Sequence, residues 1–130
     1  MNLLLDTHVF LWYISADPKL PERFRLAIQN PDNEVYLSAA SIWESVIKHG
    51  LGKLPLPGPP AQYLSQQRQA HGIASLPILE EAIQCLVELP QIHRDPFDRI
   101  LIAQALHHGL TIVTVDPDVG AYPVVLLSNT

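Results

Sequence analysis

The 130-residue chain has a single cysteine, Cys85, so it forms no internal disulfide, and no Cys/His spacing in it matches a zinc site. Basic residues are also scarce. Eight Lys and Arg stand against thirteen Asp and Glu, a formal net charge of -5. That balance argues against a protein whose whole surface grips nucleic acid through its phosphates. Apolar runs are short, and none approaches the roughly 18 residues that a membrane span needs. The run Leu3-Leu4-Leu5 stops at Asp6 with no basic segment before it, so the N-terminus does not read as a signal peptide. Repeats, low-complexity tracts and a recognisable linker are lacking too. The expectation is a reduced, soluble, cytoplasmic protein with no membrane partner.

What the sequence does contain is apolar bulk, 48% hydrophobic against 16% charged residues, enough for a packed core. At 14.5 kDa it fits one domain over residues 1–130. Leu3 to Leu5 has no polar alternation, as expected of a strand buried on both faces. Helical patterns follow over Thr7 to Ser15 and around Phe24 to Ile28, the second ending before Asn30-Pro31. Glu34 to Ser38 reads as a strand, and Ala39 to His49 as a helix with Ile42, Val46 and Ile47 on its apolar face. Four prolines make Leu51 to Pro60 a stiff connection. Ala61 to His71 is a polar helix, Ile73 to Leu76 a strand, and Leu79 to Leu89 an amphipathic helix. After the loop Pro90 to Asp95, Pro96 to His108 is a helix with the stripe Ile100, Leu101, Ala103, Ala105 and Leu106, closed by Gly109. Leu110 to Val115 and Val124 to Leu127 complete the strands. Strands alternating with helices imply an α/β fold with a central, mainly parallel sheet flanked by helices.

Four acids fall on this map in a telling way. Asp6 follows the first strand and Asp116 follows Leu110 to Val115, while Glu44 and Asp98 lie near the starts of two helices. In an open parallel sheet ligands bind beyond the carboxyl ends of the strands, and all four acids map to that edge. Each acid taken singly has a plainer explanation. Asp6-Thr7 suits a helix cap, Ser41 to Glu44 matches a capping box, Asp95 to Asp98 reads as N-cap, proline and first-turn acid, and Asp116-Pro117 repeats that device. Together they are harder to dismiss, because converging carboxylates repel and push up each other's pKa unless a cation intervenes. Carboxylates without His or Cys partners suit Mg²⁺ or Mn²⁺, which activate water at a phosphate. Thr7, Ser41 and Thr114 neighbour the acids and could orient water or phosphate, or simply satisfy caps and strand ends. Setting four of the thirteen acids aside for the site leaves eight basic residues facing nine acidic ones, so charge no longer opposes a nucleic-acid substrate.

LLLDTHVFLW at Leu3 to Trp12, the Ser-Ala-Ala-Ser-Ile-Trp-Glu run ending at Glu44, DPFDRILIAQA at Asp95 to Ala105 and IVTVD at Ile112 to Asp116 resemble the PIN-domain nucleases, and among them the VapC-like toxins of type II toxin–antitoxin systems. The resemblance spans Leu3 to about Leu127, and its first and third motifs are the specific ones. It implies an acidic metal site at Asp6, Glu44, Asp98 and Asp116, with Asp118 the alternative to Asp116 and Asp95 the helix cap. It also implies a metal-dependent endoribonuclease, a homodimer and a cognate small antitoxin protein. The alternative is a catalytically silent PIN-like module that binds protein or RNA.

Arg94, Arg99 and Lys48 flank these acids and could contact RNA phosphates, although Lys48 is also spaced to pair with Glu44 at i, i+4. Trp12 and Trp43 lie in apolar helical stretches and read as core or dimer contacts. His8 reads as a helix-surface residue and His107-His108 as a helix C-terminal pair. The helix Ala61 to His71 is a candidate antitoxin-facing arm. A receiver or a haloacid-dehalogenase-like phosphatase fits less well, since Asp6-Thr7-His8 lacks the second acid and no Lys follows Arg99. No Gly-x-Ser-x-Gly elbow supports a Ser-His-Asp triad.

Overall fold

In the computed structural model, which describes residues 1–129, five parallel strands form one sheet in the order β3-β2-β1-β4-β5. They are β1 (Asn2–Leu5), β2 (Glu34–Ser38), β3 (Ala74–Leu76), β4 (Thr111–Val113) and β5 (Val125–Leu126). The helices are α1 (Thr7–Ile14), α2 (Glu22–Gln29), α3 (Ala39–Gly50), α4 (Pro60–Ala70), α5 (Glu80–Glu88) and α6 (Pro96–His108), with a 3-10 turn at Pro117–Ala121. No helix among the described residues is long and apolar enough to cross a membrane.

The central strand explains its own sequence. Leu3, Leu4 and Leu5 are all fully buried. Alternation sends Leu3 and Leu5 into one apolar cluster with Val9, Phe10 and Phe24, and Leu4 into another with Ile100 to Ala103 of α6. A strand covered on both faces needs apolar residues at every position. From β1 the chain winds outward through β2 and β3, then returns to β4 on the other side. The reversal places a crevice at the carboxyl ends of β1 and β4. Asp6 N–H extends that pair by donating to Val113 O at 3.0 Å.

Several local expectations are corrected. Strand β4 ends at Val113 and not Val115, which is 43% exposed, because the chain turns where Thr114 Oγ1 accepts the Asp116 N–H. Ser41 is not the first residue of a capping box. The helix already starts at Ala39, where the extended Ser38 caps it by accepting the Ala40 N–H at 3.0 Å. The buried face of α3 is Ala40, Ser41, Glu44 and Ser45, and Ile47 is exposed. The stripe on α6 is wider than expected, since neighbours on several sides bury Ile100 through Ala105, including Gln104, while Leu106 faces out. Gln104 Nε2 donates to Pro77 O, which satisfies that buried amide nitrogen. Trp43 is a surface residue, packed edge-on against Phe97, whereas Trp12 packs partly buried against the Leu3 cluster.

Candidate active site at the carboxyl edge of the sheet

Asp6 occupies the N-cap position of α1, yet its side chain makes no cap bond. Instead Oδ2 accepts from Thr114 Oγ1 at 2.7 Å, across the β1–β4 crevice. Burial raises the Asp6 pKa; the Thr114 bond and His8 oppose that, and Glu44 reinforces it. Thr114 has a double role, because the same hydroxyl oxygen accepts the Asp116 N–H at 3.0 Å. Asp116 in turn caps the 3-10 turn, its Oδ1 accepting from the Asp118 N–H at 2.9 Å. Asp118 itself lies on the exposed surface, so the carboxylate facing the cluster is that of Asp116.

Asp98 sits in the first turn of α6, where Pro96 begins the helix and Asp95 Oδ1 accepts from the Phe97 N–H at 2.9 Å. The cap reading of Asp95 therefore holds, and it releases Asp98 to point into the crevice beside Asp6 and Thr114. Burial, then the charges of Asp6 and Asp95, push the Asp98 carboxyl up to about 7, with His93 opposing and Glu44 adding. Glu44 lies in the second turn of α3 and is almost wholly buried. Its Oε2 accepts from Lys48 Nζ at 2.6 Å, and its Oε1 is buried with no hydrogen-bond partner among the described residues. Lys48 keeps a raised pKa although burial works to lower it, because Glu44 holds the ammonium in place.

The structure thus gathers Asp6, Glu44, Asp98 and Asp116 at one edge, with Thr114 bridging two of them and Lys48 bound to a third. Thr7 and Ser41 stand just behind, where Thr7 Oγ1 donates to Ser41 Oγ at 2.9 Å and both are buried. Arg99 is turned inward. Its guanidinium donates to Pro90 O at 2.8 Å, Tyr122 Oη at 3.2 Å and Leu86 O at 3.4 Å, bracing the 90–95 loop. Arg94 is exposed in that loop, and His8 is exposed on α1.

One member of the cluster escaped sequence reasoning. His93 Nε2 donates to Asp116 Oδ2 at 3.1 Å and lies 3.2 Å from Asp98 Oδ2. Single donor atoms of His93, Asp98 and Asp116 all fall within 4.8 Å of one another. Burial lowers the imidazole pKa, but the flanking carboxylates outweigh it and leave it raised. The available signal was its place two residues before the Asp95 cap; the pairing with Asp116, 23 residues on, has no sequence trace.

An all-parallel α/β domain carrying buried carboxylates at the switch point of its sheet defines a class of proteins whose chemistry sits in that crevice. This chain belongs to the PIN domain family, whose model matches residues 3–124. It is 30% identical over 116 residues to Ribonuclease VapC22 of Mycobacterium tuberculosis, covering 88% of this chain and 87% of that protein. A further match, 41% over 54 residues, is to Ribonuclease VapC16 of the same organism; it covers 42% of this chain but only 38% of that protein. Among solved structures, VapBC2 from Rickettsia felis bound to a DNA fragment from their promoter shares the fold at a TM-score of 0.69 and 15% identity, over 98% of both chains. A toxin–antitoxin complex from Klebsiella pneumoniae does so at 0.64 and 19%, again over 98% of both.

Proposed function

We propose that the chain is a single PIN domain acting as a divalent-cation-dependent endoribonuclease, the toxin of a type II toxin–antitoxin pair. The observation that carries this reading is Glu44 Oε1, a buried, unpartnered carboxylate oxygen at the edge where Asp6, Asp98 and Asp116 also converge. An orphaned buried acceptor is costly unless something binds it. The donor set is hard oxygen, which fits Mg²⁺ or Mn²⁺ held by Asp6, Glu44, Asp98 and Asp116. When bound, such a cation supplies Lewis-acid polarisation of the scissile phosphodiester and a lowered pKa for water.

The protein's part is to hold the carboxylates in place. Thr114 fixes Asp6 through Oδ2 and sets the turn that aims Asp116. The Asp95 cap aims Asp98, and Lys48 restrains one oxygen of Glu44 while leaving the other free. Lys48 and exposed Arg94 are the basic groups placed to meet phosphates, with Thr7 and Ser41 supporting the wall behind Asp6. Arg99 acts by bracing the loop, so the role in phosphate contact passes to Arg94 and Lys48. RNA as substrate follows the names of the VapC relatives, and an antitoxin partner follows the Klebsiella complex. Homodimer formation and a cytoplasmic location belong to the same reading.

The test is cleavage of RNA by purified protein. Cleavage is expected only with Mg²⁺ or Mn²⁺ present and is lost in Asp6→Asn. Activity that survives both EDTA and Asp6→Asn would overturn the reading, and tight partner binding without any cleavage would favour the silent binding module.

A further inference from the structure

The carboxylates of Asp98 and Asp116 come from separate elements, the first turn of α6 and the turn after β4. His93 is the side chain that meets both, at 3.2 and 3.1 Å through one nitrogen. We propose that His93 is a positioning residue of the nuclease site, a hydrogen-bond clamp that holds Asp98 and Asp116 together for the cation without ligating it. The inference rests on the metal-dependent reading above and names which residue organises the site.

The ring's orientation decides between clamp and ligand. Nδ1 accepts the Asp95 N–H at 3.1 Å, so in the neutral ring the hydrogen sits on Nε2. In that tautomer Nε2 faces the two carboxylates as a donor, with no lone pair to offer a metal. Ligation through Nε2 would require its hydrogen to move to Nδ1, where it would confront the Asp95 N–H at the cap of α6. A carboxylate oxygen accepts more than one bond, so Asp116 keeps lone pairs for a cation while Nε2–H holds it.

The clamp is itself braced. The His93 N–H donates to Tyr122 Oη at 2.7 Å, and Tyr122 is buried. Arg99 Nη1 donates to that same phenol oxygen and to Pro90 O, at the start of the loop. At the loop's far end Asp95 caps α6. Both ends of the segment are thus fixed to the framework, and the imidazole between them has little freedom. Partners of this kind, which orient the ligands of a metal, typically change metal affinity about 10–100-fold when removed.

The test uses the full chain stripped of metal and titrated with MnCl₂ by calorimetry, for the wild type, His93→Ala and His93→Gln. Circular dichroism checks the fold of each variant. Alanine is expected to weaken Mn²⁺ binding about 10–100-fold, while RNA cleavage at saturating Mn²⁺ recovers to within about tenfold of the wild type. Glutamine keeps an N–H donor at similar reach and should retain affinity within about fivefold, which carries the test if the alanine variant does not fold. Spin-echo spectroscopy of the Mn²⁺-loaded wild type should show no directly bound imidazole nitrogen. Wild-type affinity in His93→Ala, a loss in His93→Gln beyond that range, or a bound-nitrogen signal that His93→Ala abolishes would each overturn the clamp alone. A wild type that binds no Mn²⁺ would overturn the metal-dependent reading and the clamp with it.

Discussion

Helices α3 and α6 both begin at the carboxyl edge of the sheet and both deliver an acid to the crevice, yet they bury opposite chemistry. Helix α6 buries Ile100, Leu101, Ile102, Ala103 and Ala105, with Gln104 donating through Nε2 to Pro77 O. Helix α3 buries Ala40 beside the polar Ser41, Glu44 and Ser45, and leaves Trp43 59% and Ile47 38% exposed. The difference lies in what each helix covers. Asp98 enters the site from the capped end of α6, so the rest of that helix is free to build the core. Glu44 enters from the middle of α3, so much of the inward face of that helix is given over to the site and to hydroxyls bound at Ser41, Thr7 Oγ1 donating to Ser41 Oγ and Ser45 Oγ to the Ser41 backbone carbonyl. On this account α6 is built for stability and α3 for the site.

The sharpest way to break the comparison is one substitution in each helix. Glu44→Gln should cut RNA cleavage by at least the ~100-fold associated with losing even an outer partner of a metal ligand, with the fold intact by circular dichroism. Ile102→Ala, at a fully buried position, should cost about 2–5 kcal/mol in denaturant unfolding and impair activity only through the fold. An active Glu44→Gln, or an Ile102→Ala as stable as the wild type, would erase the distinction. A smaller effect is expected from Ser41→Ala, which strands the buried Thr7 hydroxyl and should cost about 1–3 kcal/mol by the same measurement. Smallest of all, Trp43→Ala should cost no more than the ~0.5–1.5 kcal/mol of an aromatic pair, since the ring is largely exposed and touches Phe97 edge-on. A loss of several kcal/mol there would mean that Trp43 anchors α3 to the core.

The same contrast separates what was legible in the sequence from what was not. The three leucines of β1 announced a strand buried on both faces, and the acids after β1, within α3 and α6 and after β4 followed from strand and helix order alone. These are local signals backed by one topological rule. Apolar periodicity misled in part on α3 because it assumes that the inward face is apolar: Ile42 packs against the core, but Ile47 is exposed and the most buried positions are Ala40, Ser41, Glu44 and Ser45. The Ser41 to Glu44 spacing imitates a capping box while Ser38 performs the capping. His93 and Arg99 were illegible for another reason. Their roles come from contacts with Asp116 and with Tyr122, 23 residues away in each case, and no local pattern records them.

The central claim is that the edge of the sheet holds carboxylates at a cost which a cation relieves. It is tested most directly by melting the metal-free protein at pH 5 and pH 8, each with and without Mn²⁺. Burial and like charge raise the pKa of Asp6, and that of Asp98 to about 7, so the folded chain keeps protons that the unfolded chain releases from about pH 4. Stability from these groups is therefore present at low pH and falls as pH rises towards 7. The account predicts a lower Tm at pH 8 than at pH 5 without metal, and a rise on adding Mn²⁺ that is larger at pH 8. A metal-free Tm that does not fall between pH 5 and pH 8, together with no response to Mn²⁺ at pH 8, would contradict it.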